Sequence, residues 1–227
     1  MISIIIPVYN EENTIAKILE STEAAFRDIQ HEIIIMDDGS KDKTREICEI
    51  ICNTQKNINY VRLPQNHGKG FALREGFKKA IGKFIAIQDA DLEYDPKILR
   101  ELFNQANKNV VIYGKRDRKH GYLLNRIGNA ILSFVCNILY KSNLFDIYTC
   151  YKIIPVEILK LLKLSANGFE IEAEITAKLL KRNIEIKEIP ITYSPRTFKE
   201  GKQIRARDGI IGIWTLAKNK FKFVRKR

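Results

Sequence analysis

In the first half of the chain, short runs of β-branched residues alternate with stretches of helical periodicity, and this alternation limits the possible folds more than any other feature. Four apolar strands are predicted: Ile2–Ile6, Glu32–Met36, Asn59–Leu63 and Phe84–Gln88. Helices are predicted between them, at Thr14–Phe26, Thr44–Asn53 and Gly70–Ile81. Strand–helix–strand units of this kind build a parallel sheet covered by helices. We therefore expect an α/β fold with its ligand site beyond the carboxyl ends of the strands.

Regular elements are also predicted in the second half, although their order is less uniform. The predicted helices are Asp95–Asn107, Leu123–Tyr140, Val156–Leu164 and Glu170–Lys181. Two strands are predicted, Val110–Tyr113 and Ile184–Tyr193, and Pro190 indicates an edge strand or a bulge in the second of them. The sequence has neither an internal repeat nor a low-complexity linker, so we expect a single domain.

The charge balance indicates the sign of the partner. The 227 residues include 39 Lys and Arg against 27 Asp and Glu, which gives a formal net charge of +12. Nucleic acid, anionic lipid and a phosphorylated substrate all fit this sign. Nucleic acid is disfavoured, because no known binding module is present and acidic residues cluster where a phosphate groove would run.

The cysteines and the first residues indicate the compartment. Cys48, Cys52, Cys136 and Cys150 form no CxxC pair, and no histidine cluster nearby completes a zinc site. We predict free, buried thiols in a reducing compartment. The opening Met-Ile-Ser-Ile-Ile-Ile-Pro has no basic leader and predicts a first strand rather than a signal peptide. A cytoplasmic location is expected.

The pair Asp89 and Asp91 gives the strongest chemical signal. Both follow a predicted apolar strand, and only Ala90 separates them. Like charges at this spacing repel unless a cation lies between them. Mg²⁺ and Mn²⁺ bind one or two carboxylates together with phosphate oxygens, and such an ion offsets the charge of a departing diphosphate. An isolated Asp-x-Asp is more often a solvated turn, so the metal hypothesis depends on other residues that converge on the same sheet edge.

Three further polar segments follow predicted strands. Asp37-Asp38-Gly39-Ser40 is a common turn sequence, but at this edge a carboxylate can also bind a base or a ribose hydroxyl. After the first strand, Tyr9 is suited to stacking on a base and Glu11 to binding a sugar hydroxyl. Lys69 lies between glycines before a helix, without the Walker A spacing. For the segment that contains Lys69, a contact with a phosphate or a base and a plain flexible turn all stay open.

Taken in order, these segments resemble family 2 glycosyltransferases of the dolichol-phosphate mannosyltransferase type. The segments that carry the resemblance are PVYNEENT, DDGSKDKT, NHGKGFALREGF, DADLEYDP, GKR at Gly114–Arg116, DIYTCYK at Asp146–Lys152, FEIEAEI at Phe169–Ile175 and EIPITYSPRTFKEGKQI at Glu188–Ile204. They span nearly the whole chain. The resemblance implies a GT-A fold, which is a Rossmann-like nucleotide-binding fold with a mostly parallel sheet. It also implies a nucleotide-sugar and metal-binding half at 1–95 and an acceptor-side half at 96–227.

The resemblance implies the following roles. The nucleotide-sugar, GDP-mannose or a UDP-sugar, is expected to contact Pro7, Tyr9, Glu11, Asp37 or Asp38, Lys69, Asp89, Ala90, Arg116, Arg196 and Lys202. Mg²⁺ or Mn²⁺ is expected at Asp89 and Asp91, with Glu93 where relatives often carry Gln. The catalytic residues are expected to be Asp91, Arg116, Arg126 and Arg196, with Arg126 on the acceptor side. Thr149-Cys150-Tyr151 stands where such relatives often carry Ser-Gly-Phe, and this leaves the donor and the acceptor open.

The acceptor determines whether a general base is needed. The second pKa of a lipid phosphate is about 6, so this acceptor is already largely ionised at pH 7 and needs no base. A hydroxyl acceptor needs one, and Glu170, Glu172 and Glu174 are the candidates. Their spacing favours a solvated helix face for at least one of them. We expect an inverting, metal-dependent transfer to polyprenyl or dolichyl phosphate; the alternatives are a hydroxyl acceptor and a non-catalytic nucleotide-sugar or lipid-binding module.

The sequence also bears on membrane contact. No stretch of about twenty residues is apolar enough to span a bilayer. Leu123–Tyr140 comes nearest, but asparagines and Arg126 interrupt it, so we predict an amphipathic helix on lipid or on protein. The segment from Lys218 to Arg227 is strongly cationic and suits anionic lipid, although a frayed basic end is equally compatible. We expect peripheral binding at the cytoplasmic face of the membrane; the oligomeric state stays open.

Overall fold

The computed structural model describes residues 1–117, 123–196 and 206–221. The strands are β1 Ile2–Val8, β2 His31–Asp37, β3 Ile58–Arg62, β4 Phe84–Ile87, β5 Val110–Arg116, β6 Lys152–Pro155 and β7 Glu185–Ile191. The helices are α1 Ile15–Phe26, α2 Thr44–Thr54, α3 Lys69–Lys79, α4 Pro96–Phe103, α5 Leu123–Tyr140, α6 Val156–Leu162, α7 Ile171–Leu180 and α8 Ala206–Phe221. The predicted α/β fold is confirmed.

The strands form a seven-stranded sheet in the order β3-β2-β1-β4-β6-β5-β7. β1 pairs in parallel with β2 on one side and with β4 on the other, so the chain reverses its direction of winding at β1. A crevice at such a switch point is the usual ligand site of an open α/β sheet. β5 and β7 run parallel to each other, and β6 alone in this sheet is antiparallel to its neighbours β4 and β5. The position of β7 at the edge agrees with the prediction from Pro190.

The central strands are buried on both faces. Ile4, Ile5 and Ile6 follow one another in β1 and are all buried, which is the pattern of a parallel strand covered by helices on both sides. α3 packs directly on β1: a Cβ at Gly76 would lie 2.6 Å from the Cγ2 atom of Ile5. Every cysteine is an unpaired thiol, and all except the half-buried Cys52 are buried, so the predicted free thiols are confirmed.

Two elements were not predicted from the sequence, β6 and α8. β6 has four residues and begins at Lys152, whose side chain is fully buried. A lysine interrupts the apolar pattern that identifies a buried strand, and its burial depends on a partner distant in sequence. α8 was missed because its apolar residues do not mark its buried face: Ile210 and Trp214 are exposed, whereas Gly212 and Thr215 are buried.

α5 and α8 pack together over a small second core. Leu132 and Cys136 of α5 meet Leu216 of α8 and Ala173 of α7 there, and the Tyr140 hydroxyl donates to the Leu216 carbonyl. The outer face of α5 is exposed and apolar. Among the described residues, no helix is long and apolar enough to cross a membrane.

Candidate active site

The carboxyl ends of the parallel strands bring the predicted site residues to one edge of the sheet. Glu11 follows β1, Asp38 follows β2, Asp89 and Asp91 follow β4, and Arg196 follows β7. β5 and β7 point the same way as β4, because the antiparallel β6 lies between β4 and β5. Residues from both halves of the chain therefore share this edge, as the sequence predicted.

Asp89 and Asp91 form a short acidic turn. Lys69, the first residue of α3, places its Nζ 2.7 Å from Asp89 Oδ1. Asp91 Oδ1 accepts a hydrogen bond of 3.1 Å from the Glu93 amide. Ala90, which lies between them in the sequence, is buried.

The Asp91 carboxyl is strained electrostatically. Burial raises its pKa to about 7, with further contributions from the negative charges of Asp89 and Glu93, while Arg196 opposes the shift. A carboxylate that resists ionisation beside two other acids is stabilised by any cation that reaches it. This is a physical reason for a cation at this turn.

Arg196 links the two sides of the switch-point crevice. Its guanidinium donates to both oxygens of Glu11, at 2.9 and 3.1 Å, and lies 3.4 Å from Asp91 Oδ2. Glu11 also accepts from the Thr14 hydroxyl. The structure therefore brings together the three predicted site residues Glu11, Asp91 and Arg196.

Glu93 points toward the chain after β7. Its Oε2 accepts from the Tyr193 hydroxyl at 2.6 Å, and its Oε1 accepts from the Arg196 amide at 2.8 Å. Among the described residues, no three His, Cys, Asp and Glu side chains are arranged as a metal cluster. Two carboxylates still fit Mg²⁺ or Mn²⁺, since these ions complete their shell with phosphate oxygens and water. The donor set therefore suits an ion bound together with a diphosphate.

Arg116 is bound within the protein. Its guanidinium donates to both oxygens of Asp146, at 2.6 and 2.8 Å, and stacks over the Tyr193 ring at 5.1 Å. Burial alone raises the pKa of Asp146, but the Arg116 charge outweighs it and holds that pKa below its ordinary value. This ion pair uses the Nε and one Nη2 donor of Arg116, so a phosphate contact would fall to the other N–H groups of the guanidinium.

A ladder of alternating charges extends inward from Asp89, and the sequence did not predict it. Lys69 Nζ lies 3.6 Å from Glu172 Oε1, and the other oxygen of Glu172 accepts from the buried Lys152. Burial lowers the pKa of Lys69, but Asp89 and Glu172 more than offset this and hold it above the ordinary value. The signal available in the sequence was the charge of Lys152 within an apolar segment.

Of the three candidate glutamates at 170–174, two do not lie on a solvated face, and Glu170 is half-buried. Glu172 and Glu174 are buried. Glu174 accepts from the amides of Ser165 and Ala166 and pairs with Lys178. Glu170 Oε1 accepts from the Asn167 and Gly168 amides. Glu172 and Glu174 are buried because α7 packs inside the protein on both sides.

The turn after β2 is held by its own aspartates. Asp37 accepts from the Ser40 amide and from the Tyr60 hydroxyl. Asp38 accepts from the His67 and Gly68 amides, at 2.8 and 2.7 Å, and thereby fixes the loop that leads to Lys69. Burial raises the pKa of Asp38, while these amides oppose the shift.

The other predicted site residues are placed as follows. Pro7 and Tyr9 are half-buried at the end of β1, beside Glu11. Arg126 is half-buried on α5, and its Nε is a buried donor with no hydrogen-bond partner in the described part of the chain. Lys202 lies outside the described residues.

Comparison with known proteins finds relatives among sugar transferases. The chain is 29% identical over 204 residues to the low-salt glycan biosynthesis hexosyltransferase Agl6 of Haloferax volcanii, covering 86% of this chain and 48% of that protein. It is 37% identical over 116 residues to the undecaprenyl-phosphate 4-deoxy-4-formamido-L-arabinose transferase of Pectobacterium atrosepticum, covering 50% of this chain and 36% of that protein. The chain thus spans about half or less of the length of these relatives.

A solved structure shares the fold. Glucosyl-3-phosphoglycerate synthase from Mycobacterium tuberculosis, in complex with Mn²⁺, UDP and phosphoglyceric acid, superposes with a TM-score of 0.76 at 18% identity, covering 99% of this chain and 80% of that one. The fold is therefore GT-A. The model of the family described as glycosyl transferase family 2 matches residues 3–162. Because this match extends over more than half of the chain, the protein belongs to glycosyl transferase family 2.

Proposed function

We propose that the protein is an inverting glycosyltransferase that moves a sugar from a nucleotide-sugar, GDP-mannose or a UDP-sugar, to a polyprenyl phosphate, with Mg²⁺ or Mn²⁺. One observation carries the proposal: Asp89 and Asp91 share a turn at the switch-point crevice, with Lys69 on one and Arg196 beside the other. This arrangement offers two carboxylates to a cation and two cationic side chains to a diphosphate.

The side chains have separate tasks in this proposal. Asp89 and Asp91 would hold the divalent ion, which when bound supplies positive charge to the leaving diphosphate. Lys69 and Arg196 now neutralise these aspartates and Glu11. Once a cation shares the aspartates, the same ammonium and guanidinium are available to bind phosphate oxygens, for which an Arg fork is well suited.

The acceptor side supports an anionic nucleophile. Glu172 is paired with Lys152, Glu174 is paired with Lys178, and Glu170 accepts from two backbone amides. None of the three carboxylates is therefore in a position typical of a general base. A phosphate acceptor is already ionised near pH 7 and requires none. The net charge of +12 attracts such an acceptor, and the Pectobacterium relative is named for an undecaprenyl-phosphate substrate.

Peripheral membrane binding at the cytoplasmic face is part of the proposal, because the acceptor is a lipid. Ile131, Phe134 and Ile138 are exposed along one face of α5. On α8, Trp214 is also exposed, and Lys218 Nζ lies 4.5 Å from its ring centroid. Exposed apolar and aromatic side chains with adjacent lysines suit the interface of an anionic bilayer.

The proposal is tested with a panel of donors: GDP-mannose, UDP-glucose and UDP-GlcNAc. Each is incubated with Mn²⁺ or with EDTA, and with either a short water-soluble prenyl phosphate or a saccharide. Mn²⁺-dependent transfer to the prenyl phosphate from one donor is the expected result. Transfer to the saccharide alone would favour a hydroxyl acceptor. Nucleotide-sugar binding without transfer or hydrolysis under any condition would favour a non-catalytic module.

A further inference from the structure

Glu93 binds the chain after β7 at three points. Its backbone oxygen accepts from the Ser194 amide at 3.0 Å, its Oε1 from the Arg196 amide at 2.8 Å and its Oε2 from the Tyr193 hydroxyl at 2.6 Å. The residue is 8% exposed. Hydrogen bonds to a buried carboxylate are stronger than those between neutral groups, so this one residue holds Tyr193–Arg196 firmly.

The backbone before Glu93 is shaped for this contact. Leu92 has a φ of 60°, in the left-handed region that residues other than glycine seldom adopt. Such a conformation persists only where the surrounding structure holds it. It turns the chain sharply between Asp91 and Glu93, and Glu93 consequently points to Tyr193 while Asp91 stays beside Arg196.

The ring of Tyr193 is fixed as well. Its centroid lies 5.1 Å from that of Tyr94, and the Arg116 guanidinium carbon lies 5.1 Å from it. Arg116 is in turn held by Asp146. The segment is therefore pinned at its hydroxyl, at its ring and at two backbone amides.

These contacts determine where Arg196 lies. The residue ends the anchored segment, and its guanidinium reaches Glu11 and Asp91 from there. We infer that Glu93 is a positioning residue, which anchors Tyr193–Arg196 and thereby sets the Arg196 guanidinium beside Asp91. The inference rests on the proposed function only for its turnover measurement.

Three substitutions and a control test the anchoring. In Glu93→Gln, the amide oxygen accepts from the Arg196 amide and the amide nitrogen donates to the Tyr193 hydroxyl oxygen, so the anchor survives without the charge. In Glu93→Leu, both side-chain acceptors are lost at similar volume. Tyr193→Phe removes the hydrogen bond that the Tyr193 hydroxyl donates to Glu93 and leaves the Glu93 carboxylate in place. Glu185→Gln is the matched control, because it makes the same change at an exposed glutamate of β7.

The first measurement is hydrogen exchange of the amides at 194–196 in the full chain. Loss of one hydrogen bond corresponds to roughly a tenfold change in an opening equilibrium, so Glu93→Leu should raise exchange of the Arg196 amide about tenfold. Tyr193→Phe should raise it less, and Glu93→Gln and Glu185→Gln should leave it near wild type. Unchanged exchange in Glu93→Leu would overturn the inference.

The second measurement is turnover, where transfer is measurable. Glu93→Gln should rescue the turnover that Glu93→Leu loses, because the amide side chain keeps both contacts, and Glu185→Gln should leave turnover near wild type. A loss in Glu93→Gln equal to that in Glu93→Leu would overturn the inference. Hydrogen exchange needs no sugar transfer, so that measurement stands even if the proposed reaction fails.

Discussion

The Lys69 ammonium lies 2.7 Å from Oδ1 and 3.0 Å from Oδ2 of Asp89. A divalent ion held by Asp89 would need the same two oxygens that Lys69 now contacts. The same ammonium also lies 3.6 Å from the Glu172 carboxylate. The side chain can therefore compete with a metal ion for Asp89 and still serve a diphosphate once the ion has bound.

Replacing Lys69 should separate these two effects. We expect Lys69→Met to tighten Mn²⁺ binding by about fivefold, because one competing ion pair is removed, while transfer falls by roughly 100-fold, because a cation is lost from the diphosphate site. Mn²⁺ titration and initial rates test this. Lys79→Met, at the exposed other end of α3, is the control. Weaker Mn²⁺ binding in Lys69→Met would contradict competition for Asp89.

Asp91→Ala should abolish transfer while the protein stays folded, since a metal-binding carboxylate is removed from a turn at the surface of the core. Circular dichroism and initial rates with Mn²⁺ are the measurements. Asp95→Ala, four residues further on and exposed at the start of α4, is the comparison. Normal, metal-dependent transfer by Asp91→Ala would exclude the assigned site.

The raised pKa of Asp91 predicts a pH-dependent stability of the metal-free protein. Its folded value is about 7 against an ordinary 3.8, so ionisation costs stability, and the cost accumulates as pH rises between these values. Asp91→Asn keeps an acceptor for the Glu93 amide and removes the charge. We expect its Tm to exceed that of wild type at pH 8 and the difference to shrink toward pH 4. A difference independent of pH would contradict the shifted pKa.

Arg196→Lys should reduce transfer by at least threefold, because an ammonium cannot reproduce the two-pronged contact of a guanidinium. In the structure that fork binds both oxygens of Glu11. Kinetic constants for donor and acceptor measure the effect, with Arg45→Lys on the exposed face of α2 as control. A smaller loss would mean that Arg196 contributes no more than a surface charge.

The sequence predicted the parts of this molecule that local patterns determine. Runs such as Ile2–Ile6 and Glu32–Met36 are apolar because helices cover both faces of the sheet, and this order alone places Asp89 and Asp91 beyond its carboxyl edge. Pairings between distant residues were not predictable. Lys152 and Glu172 are 20 residues apart, Arg116 and Asp146 are 30 apart, and Glu93 and Tyr193 are 100 apart. Each of these side chains is bound by a partner that no local pattern indicates.

The last prediction concerns lipid binding, and it tests the acceptor as well. Phe134 and Ile138 of α5 are 65% and 62% exposed, and Ile131 lies on the same face. An apolar helix face binds a bilayer interface in proportion to the apolar area it buries, and each lysine or arginine near an anionic surface adds about 1 kcal/mol. Deleting Lys218–Arg227 should therefore weaken binding to anionic vesicles, and high salt should do the same by screening.

Because that deletion also removes the last turn of α8, a second variant isolates the apolar face. Ile131→Ser, Phe134→Ser and Ile138→Ser combined should reduce sedimentation with anionic vesicles at both low and high salt. The control is the double variant Ile50→Ser, Ile81→Ser, which should not reduce sedimentation. Both isoleucines are exposed to a similar degree but lie far along the chain from α5. Transfer to a short, water-soluble prenyl phosphate should survive in every variant, since the acidic turn and Arg196 are unchanged. Full-length protein that ignores anionic vesicles yet glycosylates a soluble saccharide would instead establish a hydroxyl acceptor.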